Sequence, residues 1–434
     1  MESLVIGGLG VVFLIILLAV GTPVGIALGL IGVFGYGLIM SFQGSLSLFG
    51  TLPFGSLSVF SYATIPLFIC MGTFISIAGI SEDVYKTAHA WLGRLRGGIV
   101  MATIFANAAF GAACGSTFAS AAIFSQIAIP EMVKLKVDKK LAAGCVAASA
   151  TIASMIPPSI IIILYAIITG VPIGKALIAG FIPGLLSAFL YMSMIYIRVL
   201  RDPTLAVRIK EITWKHRFKS LKGVWGIIIL FIVVMGGIYT GIVTPTEAGG
   251  IGALGALIIT ILLKKLTLSG LGAALLDAVK ITSQIFVIIL GGLLFSRFLA
   301  VSGVAKLIVD WIISSGANRY LVLSGLMLMY IFLGCLLDAP SMMVITLPVV
   351  FPIIKLLGFD GVWFGIIITK IIEVGLITPP LGLNVYIVKG ASPVPIKMEE
   401  VFKGVAWFLF MDIFTLAILI AFPQITLWLP NLVG

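Results

Sequence analysis

Charge is what this chain of 434 residues has least of. Only 10% of its residues are charged and 61% are hydrophobic, whereas a soluble domain carries about 25% charged residues. An ordinary soluble globular protein is excluded. Histidine is nearly absent. His89 and His216 both fall in polar connectors, which leaves a histidine-based metal centre little to work with. The four cysteines, Cys70, Cys114, Cys145 and Cys335, all lie in apolar stretches, where thiols pack as small hydrophobes rather than as disulfide partners or metal ligands. The sequence holds no GxxxxGK[ST] phosphate loop, no HExxH and no convincing Ser–His–Asp set, so nothing points to nucleotide hydrolysis or to an enzyme. The first apolar run, Leu4 to Val20, lacks a basic segment before it and a clear small-residue cleavage site, which argues against a cleaved signal peptide. The net charge of +11 does not indicate nucleic acid, because Lys and Arg concentrate in connectors on one side of a bilayer.

What the chain does have is a second copy of itself. Thr22-Pro23 returns as Thr244-Pro245, Pro130 as Pro352, Asp138 as Asp360, and Pro157-Pro158 as Pro379-Pro380. All are 222 residues apart. Val171-Pro172-Ile173 returns as Val394-Pro395-Ile396, one residue out of step. A spanning helix needs about 20 apolar residues. The first half offers runs near 3–20, 24–41, 54–79, 141–169 and 176–197. The second offers 224–242, 248–263, 280–301, 363–388 and 402–428. Five crossings per half is an odd number, so the halves enter the bilayer in opposite orientations, as inverted repeats. The reading is an all-α polytopic membrane protein with repeats at 1–197 and 223–434.

Between them, 198–222 carries eight basic residues (Arg198, Arg201, Arg208, Lys210, Lys215, Arg217, Lys219, Lys222) against Asp202 and Glu211. It reads as a cytoplasmic linker lying along the anionic inner leaflet. Lys86, Arg94, Arg96, Lys134, Lys136, Lys139, Lys140, Lys264 and Lys265 fall on the same side. Both termini and the connector 42–53, which carry no basic residue, fall outside.

Two apolar stretches do not fit as crossings. Residues 97–133 have basic segments at both ends. Their two arms of about 16 residues span roughly 24 Å, short of a hydrocarbon core of about 30 Å. The stretch reads as a re-entrant hairpin with its tip at Cys114-Gly115-Ser116-Thr117, and its repeat mate is 320–355, with its tip at Leu337-Asp338-Ala339-Pro340-Ser341. Ser116 and Asp338 correspond in the repeat. An irregular tip at membrane depth has to be buried in protein or line a watered cavity. Residues 81–96 and 304–319 precede the hairpins and read as interfacial arms, amphipathic at Lys306, Asp310 and Trp311.

The candidate chemistry sits at the two Pro-Pro breaks. Consecutive prolines remove two N–H groups and free carbonyls one turn earlier. Around the first break stand Ser149, Thr151 and Ser154. Around the second stand Glu373, Thr378, Gly382 and Asn384. Such oxygens suit a hard cation, and the alternative is a proline kink with hydroxyls bonded back to the backbone. Lys370 and Glu373, three apart on one helix, can pair, or Lys370 snorkels to the outer interface. Asp338 is a cation ligand or a helix cap. Arg297 steers an anion or snorkels. Asn107 lines a cavity or ties two helices. Gly-xxx-Gly pairs such as Gly21/Gly25/Gly29 and Gly237/Gly241 read as close helix packing.

Several runs carry a resemblance: Gly21 to Gly25, Gly115-Ser116, Ala148 to Ser159, Pro183-Gly184, Tyr239 to Ala248, Gly334 to Asp338, and Glu373 to Asn384. End to end, the chain resembles the large membrane subunit of TRAP (tripartite ATP-independent periplasmic) transporters, the DctM-like family. The resemblance implies an elevator-type, sodium-driven importer of organic acids in a bacterial or archaeal inner membrane. It implies two partners, a separate small four-helix membrane subunit and a periplasmic solute-binding protein, and no cofactor beyond Na⁺ as coupling ion. Carried over by position, the cation ligands are Ser116, Ser149, Thr151, Asp338 and Thr378. With the tip and break residues, the expected sodium set is Gly115, Ser116, Ser149, Thr151, Ser154, Asp338, Ser341, Thr378 and Gly382. The expected solute set is Asn107, Thr117, Ser120, Pro157, Pro158, Arg297, Glu373, Pro379 and Asn384. Two positions depart from the family pattern: Ser120 stands where an aspartate is frequent, and Lys370 where an apolar residue is usual. The rivals are a stand-alone dicarboxylate symporter and an ion channel.

Overall fold

The computed structural model describes residues 2–206 and 213–432, and these form helices joined by short turns, with no β-strand among them. The first half runs α1 Glu2–Ala19, α2 Val24–Ile39, α3 Phe42–Leu57, α4 Thr64–Ile77, α5 Ile80–Leu92, α6 Gly98–Cys114, α7 Thr117–Lys134, α8 Lys139–Ser149, α9 Ile160–Thr169 and α10 Ile173–Arg201. The second runs α11 Trp214–Ser220, α12 Trp225–Tyr239, α13 Pro245–Leu262, α14 Leu268–Ser302, α15 Val304–Ser314, α16 Arg319–Gly334, α17 Ala339–Leu356, α18 Gly361–Ile377, α19 Leu383–Ala391, α20 Met398–Ala421 and α21 Gln424–Leu432. The bounds of α7 and α17 differ by 222 at both ends, and α8 and α18 start at 139 and 361, again 222 apart.

The recurring sequence signals are helix punctuation. Asp138 accepts from the Leu141 amide at 3.0 Å, and Asp360 accepts from the Val362 and Trp363 amides at 2.7 and 2.9 Å. Each supplies an acceptor to N–H groups that have no partner inside the helix. Thr244 and Glu247 form a reciprocal capping box at the start of α13, with Pro245 in its first turn. The two Pro-Pro pairs stand in the gaps that separate α8 from α9 and α18 from α19. A short 3₁₀ segment, Ala150–Ser154, precedes the first gap.

Among the described residues, seven helices are long and apolar enough to cross a membrane: Glu2–Ala19, Phe60–Ile77, Ile173–Arg201, Pro245–Leu262, Leu268–Ser302, Ala339–Leu356 and Met398–Ala421. An eighth arises if Trp214–Gly223 and Trp225–Tyr239, bent by 55°, count as one span. The hairpin arms α6 and α16 hold 17 and 16 residues, roughly 25 Å each at 1.5 Å per residue. Their partners α7 and α17 hold 18, and α17 is longer than expected of a re-entrant arm, being long and apolar enough to count as a span.

Three expectations about elements need correction. The connector 42–53 is helical as part of α3, which runs on to Leu57, so that the crossing expected at 54–79 begins at Phe60; the Ser41 hydroxyl caps α3 by accepting from the Gly44 amide at 3.0 Å. The run 280–301 is the later part of α14, which begins at Leu268 behind the Thr267 cap and carries Asp277 and Lys280 within it. The run 402–428 is interrupted: α20 ends at Ala421 because Pro423 drives Phe422 out of the helical region, to φ −126° and ψ 73°. Of the linker, Arg208, Lys210 and Glu211 lie outside the described residues. Downstream, α11 stacks the Arg217 guanidinium over the Trp214 ring at 4.6 Å.

Two close helix pairs organise the packing. Helix α2 lies along α14, where a Cβ on Gly291 would stand 2.0 Å from the Gly25 carbonyl oxygen. Helix α8 lies along α20, where a Cβ on Gly404 would stand 1.9 Å from the Lys140 carbonyl oxygen. Only glycine permits these backbone approaches. Gly21 and Gly241, expected as packing residues, instead take positive φ (88° and 68°) at helix ends.

Candidate functional site

Each hairpin tip lies against the Pro-Pro break of its own half. Gly115 ends α6 in the left-handed conformation, so close to the break that an added Cβ would meet the Pro158 carbonyl oxygen at 2.3 Å. The Ser116 hydroxyl then caps α7, accepting from the Ala119 amide at 3.4 Å. In the second half the Cys335 thiol donates to the Pro379 carbonyl at 3.4 Å. The first break is wholly buried, whereas Pro379 and Pro380 of the second are exposed.

Both tips reach one cavity of about 820 Å³. Its walls are Gly115–Ala119, Asp338–Ser341, the N-termini of α2 and α9, and one face of α14. Asp338 is the only charged side chain among the lining residues. It occupies the N-cap position of α17, yet its carboxylate makes no cap hydrogen bond. Ser341 Oγ, also buried and on the wall, has no hydrogen-bond partner. The N-termini of α7, α9 and α17 converge here, and their free N–H groups and dipoles favour an anion.

Of the expected sodium residues, Gly115, Ser116, Asp338 and Ser341 line this cavity; of the expected solute residues, Thr117 does. The others do not line it. Thr151 Oγ1 donates to the Ala148 carbonyl at 2.7 Å, and Thr378 Oγ1 to the Val374 carbonyl at 2.6 Å. Both hydroxyls take the back-bonded arrangement. Asn107 ties three helices together: its Oδ1 accepts from Ser120 at 2.7 Å, and its Nδ2 donates to Ser149 Oγ at 2.8 Å and to the Thr103 carbonyl at 3.2 Å. Asn384 Nδ2 crosses between halves to the Ala147 carbonyl at 3.1 Å, with its Oδ1 unpartnered. Pro157 and Gly382 are buried within their breaks. Arg297 is exposed on α14 and does not line the cavity.

Glu373 is the centre of a second buried group. Its carboxylate is fully buried and accepts from Thr117 Oγ1 at 3.1 and 3.2 Å. Ser154 Oγ is also within hydrogen-bond reach of this carboxylate and stands 2.8 Å from the Thr151 carbonyl, the two acceptors competing for its single proton. One carboxylate thus joins the first hairpin tip, the first break and α18 of the second half.

The expected Lys370–Glu373 pair does not form. Lys370 is fully buried and pairs with Asp412 of α20 at 2.5 Å. Tyr191 of α10 donates to the same Asp412 oxygen at 2.5 Å. Asp412 approaches from a facing helix, whereas Glu373 is turned toward Thr117 and Ser154. Burial also removes the snorkelling alternative for Lys370. Sequence reasoning missed Asp412, although it is the only carboxylate in the run 402–428, and an ionisable residue in such a run is a signal in itself. It also missed Ser283 and Gln284, a polar pair on α14 that faces the cavity.

These features define a multi-pass helical membrane protein with two interrupted helices and two hairpin tips around a common cavity, which is the architecture of a transport protein rather than of an enzyme. The chain belongs to the family described as the DctM component of the tripartite ATP-independent periplasmic transporter, whose model matches residues 11–425. It is 32% identical to the C4-dicarboxylate TRAP transporter large permease protein DctM of Pseudomonas aeruginosa, over 86% of this chain and 87% of that one. It is 28% identical to the sialic acid TRAP transporter large permease protein SiaM of Vibrio cholerae, over 100% and 99%. It is 30% identical to the isethionate TRAP transporter permease protein DctMQ of Oleidesulfovibrio alaskensis, over 89% of this chain but 60% of that longer one. In structure it is similar to the YdaH transporter of Alcanivorax borkumensis, with a TM-score of 0.57 at 14% identity over 88% and 90% of the two chains; that likeness bears on the fold alone. The chain is therefore a large permease subunit of a binding-protein-dependent secondary transporter, a multi-pass inner-membrane protein.

Proposed function

We propose that this permease imports an organic acid by sodium symport, with an elevator movement of one helical body against another. The observation that carries the sodium reading is a charge count. The buried group behind the tips holds two carboxylates, Glu373 and Asp412, and one ammonium, Lys370, which Asp412 already engages. An ionised carboxylate without a counter-charge in low dielectric costs several kcal/mol. Glu373 is therefore neutralised where it stands, by a proton or by a cation, and we read the partner as a cation because Thr117 and Ser154 set further oxygens beside it. A second cation belongs at Asp338, whose carboxylate stands free of any cap bond in the shared cavity. Among the lining residues there is no basic group, so the acid's carboxylate meets the N-termini of α7, α9 and α17.

The 222-residue recurrence and the odd number of crossings expected per half support inverted repeats, 1–197 and 223–434. The basic connector 198–222 is cytoplasmic and both termini are extracytoplasmic. The moving body comprises α6–α9 and α16–α19, and the scaffold comprises α1–α5 and α12–α15. The relatives' names specify a dicarboxylate, sialic acid and isethionate, all organic acids, which supports that solute class. The longer DctMQ relative supports a separate small membrane subunit as partner here. A periplasmic binding protein delivers the solute.

Reconstitution tests the assembly. Uptake is expected only when this chain, the small subunit and the binding protein are all present. Transport by the chain alone would instead establish a stand-alone symporter, and steady ion current through it would establish a channel.

A further inference from the structure

The Lys370 ammonium is the one full positive charge in the buried group, and its surroundings resemble a cation site more than a simple tether. Asp412 Oδ1 lies 2.5 Å from Nζ, and the Tyr191 ring faces it with its centroid 5.6 Å away. Tyr191 Oη donates to the same Asp412 oxygen. A carboxylate beside an aromatic face is a donor set for alkali and ammonium ions as well as for a lysine side chain. The contacts are sparse: Nζ makes no hydrogen bond besides this ion contact, and Asp412 Oδ2 has no partner. All three side chains are fully buried. A pair kept for packing alone would be replaceable by apolar residues of similar volume, often at no loss.

The repeat adds an independent observation. In the repeat register, which is 222 residues at Lys370 and 223 after the one-residue slip at Val394, the mates of Lys370 and Asp412 are Ala148 and Phe189. Both charges are therefore confined to the second half, and they come as a matched pair on α18 and α20. Glu373, one helical turn along α18 from Lys370, carries the carboxylate that lacks a protein counter-charge.

We propose that Lys370 is a built-in cation, its ammonium filling a monovalent-cation site formed by Asp412 and Tyr191. With that site closed by the chain itself, one inorganic ion fewer is bound and moved per cycle. The site rests on the geometry alone, whereas its consequence for ion stoichiometry rests on the sodium-coupled reading.

The test is Lys370→Ala, with Lys370→Ala/Asp412→Asn as its control, in the full chain. Thermal melts are run in NaCl, KCl and NH4Cl against choline chloride at constant ionic strength. Lys370→Ala is expected to be destabilised in choline and to regain stability as free Na⁺ or NH4⁺ rises, with a steeper dependence than the parent protein, because a ligand bound only to the folded state stabilises with the logarithm of its concentration. The double variant is expected to lose that added dependence. In the reconstituted transporter, Lys370→Ala uptake is expected to fall about tenfold at low sodium, the equivalent of about 1.4 kcal/mol, and to recover at high sodium. A parental salt response in Lys370→Ala overturns the proposal. So does a Lys370→Ala protein that no salt rescues while the double variant folds, since the pair would then be a structural tie. Rescue of the melts without any sodium dependence of parental uptake would uphold the cation site and overturn the sodium-coupled reading instead.

Discussion

Replacing Glu373 separates a cation ligand from a structural acceptor. In Glu373→Ala two hydroxyl donors lose their acceptor, but not equally. Ser154 keeps the Thr151 carbonyl at 2.8 Å, while Thr117 has no other acceptor. A buried donor left unsatisfied costs about 1–3 kcal/mol, and loss of the buried side chain adds a cavity term, so roughly 2–5 kcal/mol of destabilisation is expected. Glu373→Gln keeps the volume and one acceptor oxygen for Thr117 and Ser154, so its structural cost should stay near 1 kcal/mol. It removes the charge, however. If a sodium ion neutralises Glu373, Gln should lower apparent sodium affinity at least about tenfold, or 1.4 kcal/mol. The assay is a thermal melt titrated with NaCl against choline chloride, paired with sodium-dependent uptake. A Gln variant with the parental sodium curve would refute the charge argument and leave Glu373 as an acceptor that ties the first hairpin to α18.

Two further outcomes follow from the same geometry. Asp338→Asn is expected to fold normally and to lose about tenfold or more in sodium affinity, because the carboxylate makes no cap bond whose loss would weaken α17; unchanged sodium dependence of uptake would count against Asp338 as a ligand. A single cysteine at exposed Lys219 of α11 should resist an impermeant thiol reagent applied from the periplasmic side and react after the membrane is opened. Labelling from outside would reverse the proposed orientation.

The elements that the sequence made legible are those with local causes. Gly115, the Ser116 cap, the caps Asp138 and Asp360, and the two Pro-Pro pairs act within a turn of where they stand, so hairpin tips and helix interruptions could be placed from residue order alone. Helix α3 was hidden because three glycines and Pro53 outweigh local helix propensity, which the Ser41 cap and packing along α2 offset. The interruption at Pro423 was legible and was passed over in a long apolar run.

Side-chain partnerships were least accessible. Lys370 and Glu373 invite pairing by their spacing, but Asp412 comes from another helix 42 positions after Lys370, and Thr117 reaches Glu373 from the opposite half. Which of several buried polar groups meet is decided by helix docking, and a spacing rule cannot see it. The Ser283-Gln284 wall of the cavity escaped for a similar reason: its polarity was visible, but the side it faces was not.

The most direct measurement is solute uptake into liposomes holding the complete transporter, with binding protein supplied outside and no ATP. Accumulation is expected when an inward sodium gradient is imposed, and it should collapse when choline replaces sodium. Undiminished accumulation in choline would contradict sodium coupling, and with it the cation roles assigned to Glu373 and Asp338.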